Sequence, residues 1–118
     1  MKNPWKKLLA NIKISGRIWS QTNRHPQKLI ELTPEDLESK FNEQDGKCYW
    51  LGIPLNPQDI FEPFNQLAIS VDRIDNAKHY TFDNIVICCR FVNLGKGQVN
   101  SDKFAYTINK IKQAIMSS

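Results

Sequence analysis

The chain alternates between segments with helical hydrophobic spacing and segments with strand-like spacing, and the first segment is helical. Asn3 followed by Pro4 is typical of a helix start, with asparagine as the N-cap and proline at the first helical position. We expect this helix to end at about Gly16 or just beyond. The polar stretch 21–27 is expected to be a linker, because the residue before Pro26 is pushed out of the helical conformation. The predicted apolar face consists of Trp5, Leu8, Leu9, Ile12 and Trp19.

A second helix is predicted from a near match to the capping box. Thr33 is the expected N-cap, Pro34 takes the first helical position and Asp36 stands three residues after the cap. Leu37 and Phe41 then point inward, and the pair at 45–46, an aspartate and a glycine, ends the helix.

The pattern changes after residue 46 to short apolar runs broken by turn residues, which predict a strand or two and an irregular loop over 47–63. The best strand candidates are 68–74 and 84–89, and the unbroken apolar run at 85–89 indicates a strand covered on both faces. A short helix is expected from Arg90 to Gly95 or Gly97, followed by an amphipathic helix capped by Ser101. The predicted apolar face of that last helix consists of Phe104, Ile108, Ile111 and Ile115.

Composition restricts the class of protein further. The chain has 118 residues, of which 41% are hydrophobic and 24% charged, as in one soluble globular domain. No run approaches the roughly 20 apolar residues that span a bilayer, and the amino terminus lacks the apolar core of a signal peptide, so we expect no membrane or secreted protein. Three cysteines, two of them adjacent, argue against a disulfide framework.

Charge is distributed unevenly behind the net value of +4. Residues 1–30 carry seven basic side chains and no acidic one, residues 31–65 carry eight acidic and two basic, and residues 66–118 carry seven basic and four acidic. Two basic segments therefore flank an acidic one. A polyanion such as nucleic acid is the partner that the basic ends would attract.

Residues 70–97 carry the motif that bears on chemistry. They include Asp72-Arg73-Ile74-Asp75 at the end of the first strand, Asn84 before the second, and Asn93 followed by Lys96-Gly97 in the short helix. This order resembles the HNH endonucleases, the ββα-metal or His-Me finger nucleases, and within them a phage-type group that has Asp-Arg-Ile-Asp in place of Asp-His. Residues 32–37 and 46–55 are also similar to the lead-in of that group.

The resemblance implies a role for three of these side chains. Asp72 and Asn93 match the family's metal ligands, and two oxygen donors suit Mg²⁺ or Mn²⁺, which keeps several waters. Asn84 matches the asparagine that orients the catalytic loop, and its amide can bond the backbone as donor and as acceptor.

The sequence departs from the family at Arg73, where most members have the histidine that activates water. Arginine stays protonated and cannot be a general base, although it can bind phosphate. Three alternatives remain for the proton: His79, whose ordinary pKa suits a base, Asp75, and a metal-bound hydroxide with no protein base.

The resemblance also bears on zinc, because many of these nucleases carry two Cys-x-x-Cys pairs. Cys48 and Cys89 stand at the first position of each pair, but Leu51 and Val92 occupy the second positions. Two thiolates do not complete a structural zinc site. We therefore expect no structural zinc, a hydrophobic contact in its place, and Cys88 as a small core residue.

The hydrophobic pattern predicts an α+β domain, with a basic helix and linker at 1–30 and a carboxy-terminal helix at 105–118 packed on the same domain; the resemblance implies an HNH-like nuclease domain with a ββα-metal core at 31–104. The resemblance implies an intracellular, metal-dependent endonuclease that nicks or cuts double-stranded DNA in the cytoplasm of a bacterium, encoded by the bacterium or a phage. Alternatives are a catalytically inactive DNA-binding or protein-inhibiting module of the same fold, and cleavage of RNA. Expected phosphate contacts are Lys6, Lys7, Lys13, Arg17, Lys78, Arg90, Lys96 and Lys103.

Overall fold

The architecture is α+β, as the hydrophobic pattern predicts, in a computed structural model that describes residues 2–23 and 27–117. In chain order the helices and strands are α1 (Pro4–Asn23), α2 (Pro34–Glu43), β1 (Ile69–Arg73), β2 (Ile85–Cys89), α3 (Arg90–Lys96) and α4 (Ser101–Met116). Short 3-10 helices at Pro57–Phe61 and Phe82–Asn84 precede β1 and β2 respectively.

The two amino-terminal helices begin where the sequence predicts. The Oδ1 atom of Asn3 accepts the N–H groups of Trp5 and Lys6, at 2.9 and 3.2 Å. Thr33 forms both bonds of a capping box with Asp36, which satisfies backbone donors that a helix leaves open at its start.

The predicted end of α1 near Gly16 is wrong, because the helix continues to Asn23. A single glycine costs a helix only about 1 kcal/mol relative to alanine, which is too little to end one that continues on both sides. The predicted break before Pro26 lies outside the described residues.

Strands β1 and β2 pair antiparallel, in a register that sets Ile69 opposite Cys89 and Arg73 opposite Ile85. All five residues of β2 are buried, since α2 packs against β2 and α3 packs against β1. The side chain of Gln44, just after α2, bonds both backbone groups of Ile87: its Oε1 accepts the N–H at 2.8 Å and its Nε2 donates to the carbonyl at 2.8 Å.

Helix α4 begins as predicted, but with a different cap. Asn100 is the N-cap, and its side chain accepts the N–H of Lys103, while the hydroxyl of Ser101 instead donates to the carbonyl of Ile74 at 2.7 Å. Only half of the predicted apolar face is covered: Phe104 and Ile108 are buried, whereas the isoleucines at 111 and 115 are exposed.

One hydrophobic core joins all six elements. It draws residues from each of the four helices and from both strands. Helix α4 contributes on both sides of the boundary expected at 104–105, since it begins at Ser101 and buries Phe104 and Ile108. In the described part of the chain, no helix combines the length and the apolar character needed to cross a membrane.

Candidate functional site

Helix α3 follows β2 without a loop and lies against β1, so that residues three positions apart on the helix face the strand together. Asn93 donates from Nδ2 to the hydroxyl of Ser70 at 2.7 Å and to the carbonyl of Val71 at 3.0 Å. Because its amide nitrogen is used in this way, Asn93 is fixed to β1 while its side chain also borders an open groove. One helical turn later, Lys96 faces the next part of the strand.

Asp72 and Lys96 form a buried ion pair at this interface. The Nζ atom of Lys96 donates to Oδ1 of Asp72 at 2.9 Å, and Nε1 of Trp50 donates to Oδ2 at 3.0 Å. The side chains of the lysine and the aspartate are 0% and 5% exposed. A carboxylate removed from water needs such a partner, because an uncompensated buried charge costs several kcal/mol.

This ion pair corrects the expectation that Lys96 contacts phosphate. The residue is fully buried, and its Nζ also donates to the carbonyl of Arg73 at 3.3 Å, so its ammonium is closed off from a ligand in this arrangement.

The donor set of the two expected ligands suits a hard cation in its chemistry, since Asp72 brings a carboxylate and Asn93 an amide oxygen. The charge of the carboxylate, however, is already neutralised by the ammonium of Lys96. A divalent ion therefore fits beside Asp72 only in exchange for Lys96. Within 2–23 and 27–117, no group of three or more His, Cys, Asp and Glu residues is arranged to hold a metal ion.

Asn84 organises the loop between the strands from a buried position. Its Oδ1 accepts the N–H of Asp75 at 3.0 Å, and its Nδ2 donates to the carbonyls of Asp75 and His79 at 3.1 and 3.0 Å. The amide thus bonds the backbone both as acceptor and as donor, which is the arrangement expected for it from the sequence.

Arg73 turns toward the same loop. Its Nη1 donates to the carbonyls of Asn76 and Lys78, at 2.7 and 2.9 Å, and its guanidinium lies 4.9 Å from the centre of the Tyr80 ring. The arginine also lines a cavity of about 220 Å³ together with Lys28. Two cations beside one cavity leave it suited to an anion.

His79 does not have the geometry of a free general base. Its Nδ1 accepts the backbone N–H of Leu29 at 2.8 Å, so the neutral ring carries its proton on Nε2 and has no lone pair left for water. The carboxylate of Asp75 is exposed, and its Oδ1 accepts the N–H of Ala77 at 2.9 Å. Of the two side chains expected as general bases, only Asp75 has a lone pair that is free to accept a proton from water.

A basic groove of about 640 Å³ runs between α1, the loop before β1, and α3. Lys2 and Lys7 of the amino-terminal region and Arg90 of α3 line it, and Asn93 borders it between them. Lys2 is held 5.3 Å from the centre of the Phe61 ring. The groove therefore presents three cations beside one of the two expected metal ligands.

Seven of the eight basic side chains expected to meet phosphate are exposed, and Lys96 is the exception. The structure brings Lys7 and Arg90 to the groove. The remaining five are exposed without lining either cavity: Lys6, Lys13, Arg17, Lys78 and Lys103.

The cysteines are free and buried. Cys48, Cys89 and Val92 belong to the hydrophobic core, and Leu51 packs against it. Burial raises the pKa of the Cys88 thiol well above its ordinary value, with the carboxylate of Asp72 adding to the rise, and burial likewise raises the pKa of Cys89. These thiols are therefore protonated, as expected of small core residues.

Sequence reasoning missed Trp50 as a partner of Asp72 and Ser70 as a partner of Asn93. Helical spacing could have revealed the role of Lys96, because a residue three positions after Asn93 shares its face. No local pattern marks Trp50, which lies 22 positions from its carboxylate.

Comparison with known proteins finds no match to a family model, to a curated protein or to a solved structure.

Proposed function

We propose that this chain is a DNA endonuclease of the HNH type, which hydrolyses phosphodiester bonds with the help of Mg²⁺ or Mn²⁺. The observation that carries the proposal is the juxtaposition of Asp72 and Asn93 on one strand–helix interface, beside a groove lined by Lys2, Lys7 and Arg90. The order of strand, anchored loop, strand and helix is what the resemblance implies for such a nuclease.

The groove supplies the affinity for DNA. Its cations can neutralise phosphates and release counterions, an interaction that does not depend on base sequence and weakens as salt is added. The smaller cavity shares Ser15 and Tyr80 with the groove and is lined by Arg73 and Lys28. A phosphate backbone crossing from one to the other would meet cations in both.

Asp72 and Asn93 are the residues that would hold the metal. When bound, the ion would polarise the scissile phosphate and stabilise the leaving oxygen. Asn84 keeps the loop at 75–79 in place, and Arg73 fixes the same loop from the other side. The carboxylate of Asp75, exposed on this loop, is the side chain that could take a proton from water.

The second candidate is a DNA-binding module of the same fold that does not cut. The ion pair of Asp72 and Lys96 favours it, because the buried carboxylate already has its counter-charge in the ammonium of Lys96. The internal bonds of Arg73 and His79 favour it as well, since Nη1 of the arginine and Nδ1 of the histidine are both bonded to the protein's own backbone. Both candidates use the basic groove.

Plasmid nicking in Mg²⁺ and in Mn²⁺ separates the two candidates. Asp72→Ala is a poor probe, because it would leave Lys96 as a buried unpaired charge. Asn93→Ala and the double variant Asp72→Asn/Lys96→Met are better, since each removes a proposed ligand without leaving a buried unpaired charge, and a thermal melt checks that the fold is kept. The exposed residue Asn109, on α4, gives the matched control Asn109→Ala.

A nuclease predicts that wild type and Asn109→Ala nick the plasmid, and that the two ligand variants lose at least about a hundredfold in rate while still binding DNA, since electrostatic stabilisation of this kind is worth several kcal/mol. Binding of DNA by all four proteins without any nicking would establish the non-cutting module. A labelled RNA duplex in the same assay tests for cleavage of RNA.

A further inference from the structure

The loop before β1 carries an aromatic side chain in an unusual position. Phe64 is 90% exposed, so its ring is almost entirely in water, and its φ of 64° is in the left-handed region. A bulky residue other than glycine pays a free-energy cost in that region, because its Cβ crowds the carbonyl. The phenyl ring is therefore exposed to solvent on a backbone conformation that lowers the stability of the fold.

The loop around Phe64 is held by its own hydrogen bonds. Nδ2 of Asn65 donates to Oε2 of Glu62 at 2.7 Å, and Oδ1 of Asn65 accepts the N–H of Leu67 at 2.9 Å. The N–H of Phe91 on α3 donates to the carbonyl of Gln66 at 2.9 Å, which ties the loop to the helix. These hydrogen bonds therefore fix the position of Phe64 relative to α3.

Phe64 borders the same groove that Lys2, Lys7 and Arg90 line. Glu62 is the acidic side chain at this rim, and its carboxylate is bonded to Asn65. A ligand with negative charge along one edge and flat apolar groups beside it matches this arrangement. Duplex DNA has both, with phosphates for the cations and stacked bases for the ring.

We propose that Phe64 is an apolar wedge that inserts between adjacent base pairs of the DNA whose backbone lies in the groove. This inference rests on the proposed binding of DNA. Insertion partly unstacks the base step and bends the duplex, by about 20 to 90° in proteins that use phenylalanine in this way. The bend brings more of the backbone against the cations of the groove.

The test measures affinity and bending separately, on a 30-base-pair duplex with a fluorescent donor at one end and an acceptor at the other. Binding is followed by anisotropy, and the end-to-end distance by energy transfer at saturating protein. Variants are Phe64→Ala, Phe64→Leu, which keeps an apolar wedge, and Phe64→Gly, which removes the backbone strain. Tyr106→Ala is the matched control, since Tyr106 is a 65% exposed aromatic on α4 that does not line the groove.

We expect wild type, Phe64→Leu and Tyr106→Ala to shorten the end-to-end distance, and Phe64→Ala and Phe64→Gly to leave it unchanged. The affinity of Phe64→Ala should fall by about 5- to 150-fold, the range that loss of an aromatic contact with a base corresponds to. The melting temperature of Phe64→Gly should not fall below that of wild type, because glycine adopts a positive φ without strain.

Equal bending by wild type and Phe64→Ala overturns the wedge, as does binding by wild type without any bending. In both cases the proposed function stands, because wild type still binds DNA. Failure of wild type to bind the duplex at all overturns the proposed function, and the wedge with it.

Discussion

Asp72 and Asn93 lie at the same interface between β1 and α3, but their surroundings differ. Asp72 is 4% exposed, and both of its carboxylate oxygens are bonded by protein groups. Asn93 is half-buried and borders a groove lined by lysines and an arginine. One half of the proposed metal site is thus closed by an internal cation, whereas the other half is open to a ligand.

The difference shows how a buried carboxylate can be stabilised by a cation of the protein itself. A lysine on the helical turn after Asn93 supplies the positive charge that compensates the buried carboxylate of Asp72. The charges beside Asn93 need no such partner, since the exposed side chains of Lys2, Lys7 and Arg90 are solvated. Stability should therefore depend on the closed half, and the proposed affinity for DNA on the open half.

The largest effect is expected from breaking the ion pair. Lys96→Met leaves the carboxylate of Asp72 buried without its cation, which should lower the free energy of unfolding by about 3 to 5 kcal/mol in urea denaturation. The double variant Asp72→Asn/Lys96→Met should recover most of that loss, because a neutral amide still accepts the N–H of Trp50. A double variant as unstable as the single one would contradict this account.

The single variant Lys96→Met also tests whether the closed half can bind a metal ion. With Lys96 replaced by methionine, the carboxylate is free to bind a divalent ion, so Mn²⁺ should raise the melting temperature of Lys96→Met more than that of wild type. An equal response of both proteins to Mn²⁺ would argue against a metal at Asp72. That result would favour the module that binds DNA without cutting it.

A smaller loss is expected from the loop that Asn84 anchors. Asn84→Ala removes three hydrogen bonds to the backbone at 75 and 79, and part of the loop can be resolvated, so the loss should be about 2 to 3 kcal/mol. Hydrogen exchange of the amides at 75–79 should accelerate in this variant. The control Asn109→Ala, on an exposed helix face, should stay within about 0.5 kcal/mol of wild type.

The open half is tested by charge removal. Lys7→Gln and Arg90→Gln should each lower the slope of the logarithm of DNA affinity against the logarithm of salt concentration by about 1, without lowering the melting temperature. Lys47→Gln is the matched control, because Lys47 is exposed and lines neither cavity. An equal slope change in all three variants would mean that the groove is not where phosphates bind.

The smallest effect concerns alkaline pH. Burial holds the pKa of the Cys88 thiol above its ordinary value of about 8.5, so above that pH the unfolded chain loses the proton first. Stability should then fall as pH rises, by up to about 1.4 kcal/mol per pH unit for this thiol. Urea midpoints from pH 7.5 to 9.5 measure it, and Cys88→Ala should reduce the decline. An identical decline in both proteins would assign it to other groups.

Elements specified by short-range signals could be predicted from the sequence. The capping box of Thr33 acts over three residues. The unbroken run of five apolar residues in β2 is itself the signal that predicts its burial. The end of α1 could not be predicted, because the penalty for Gly16 is offset by helix on both sides of it.

The candidate site could be predicted only in part. The loop-anchoring bonds of Asn84 follow from its amide and its position, but the burial of Lys96 depends on how α3 packs against β1. Helical spacing indicates that Lys96 faces the strand together with Asn93, but no local signal shows that Lys96 is fully buried whereas Lys103 is exposed. The partner of each cation is decided by tertiary structure.

A two-stranded sheet has open edges that can recruit strands from other molecules. At β2 this edge is occupied by the amide of Gln44, which imitates a neighbouring peptide group at Ile87, and by the N–H of Tyr49, which donates to the same carbonyl at 3.0 Å. The backbone groups that Ile87 would otherwise offer to a strand of another molecule are thereby satisfied, and one glutamine side chain takes the place of a neighbouring strand at this position.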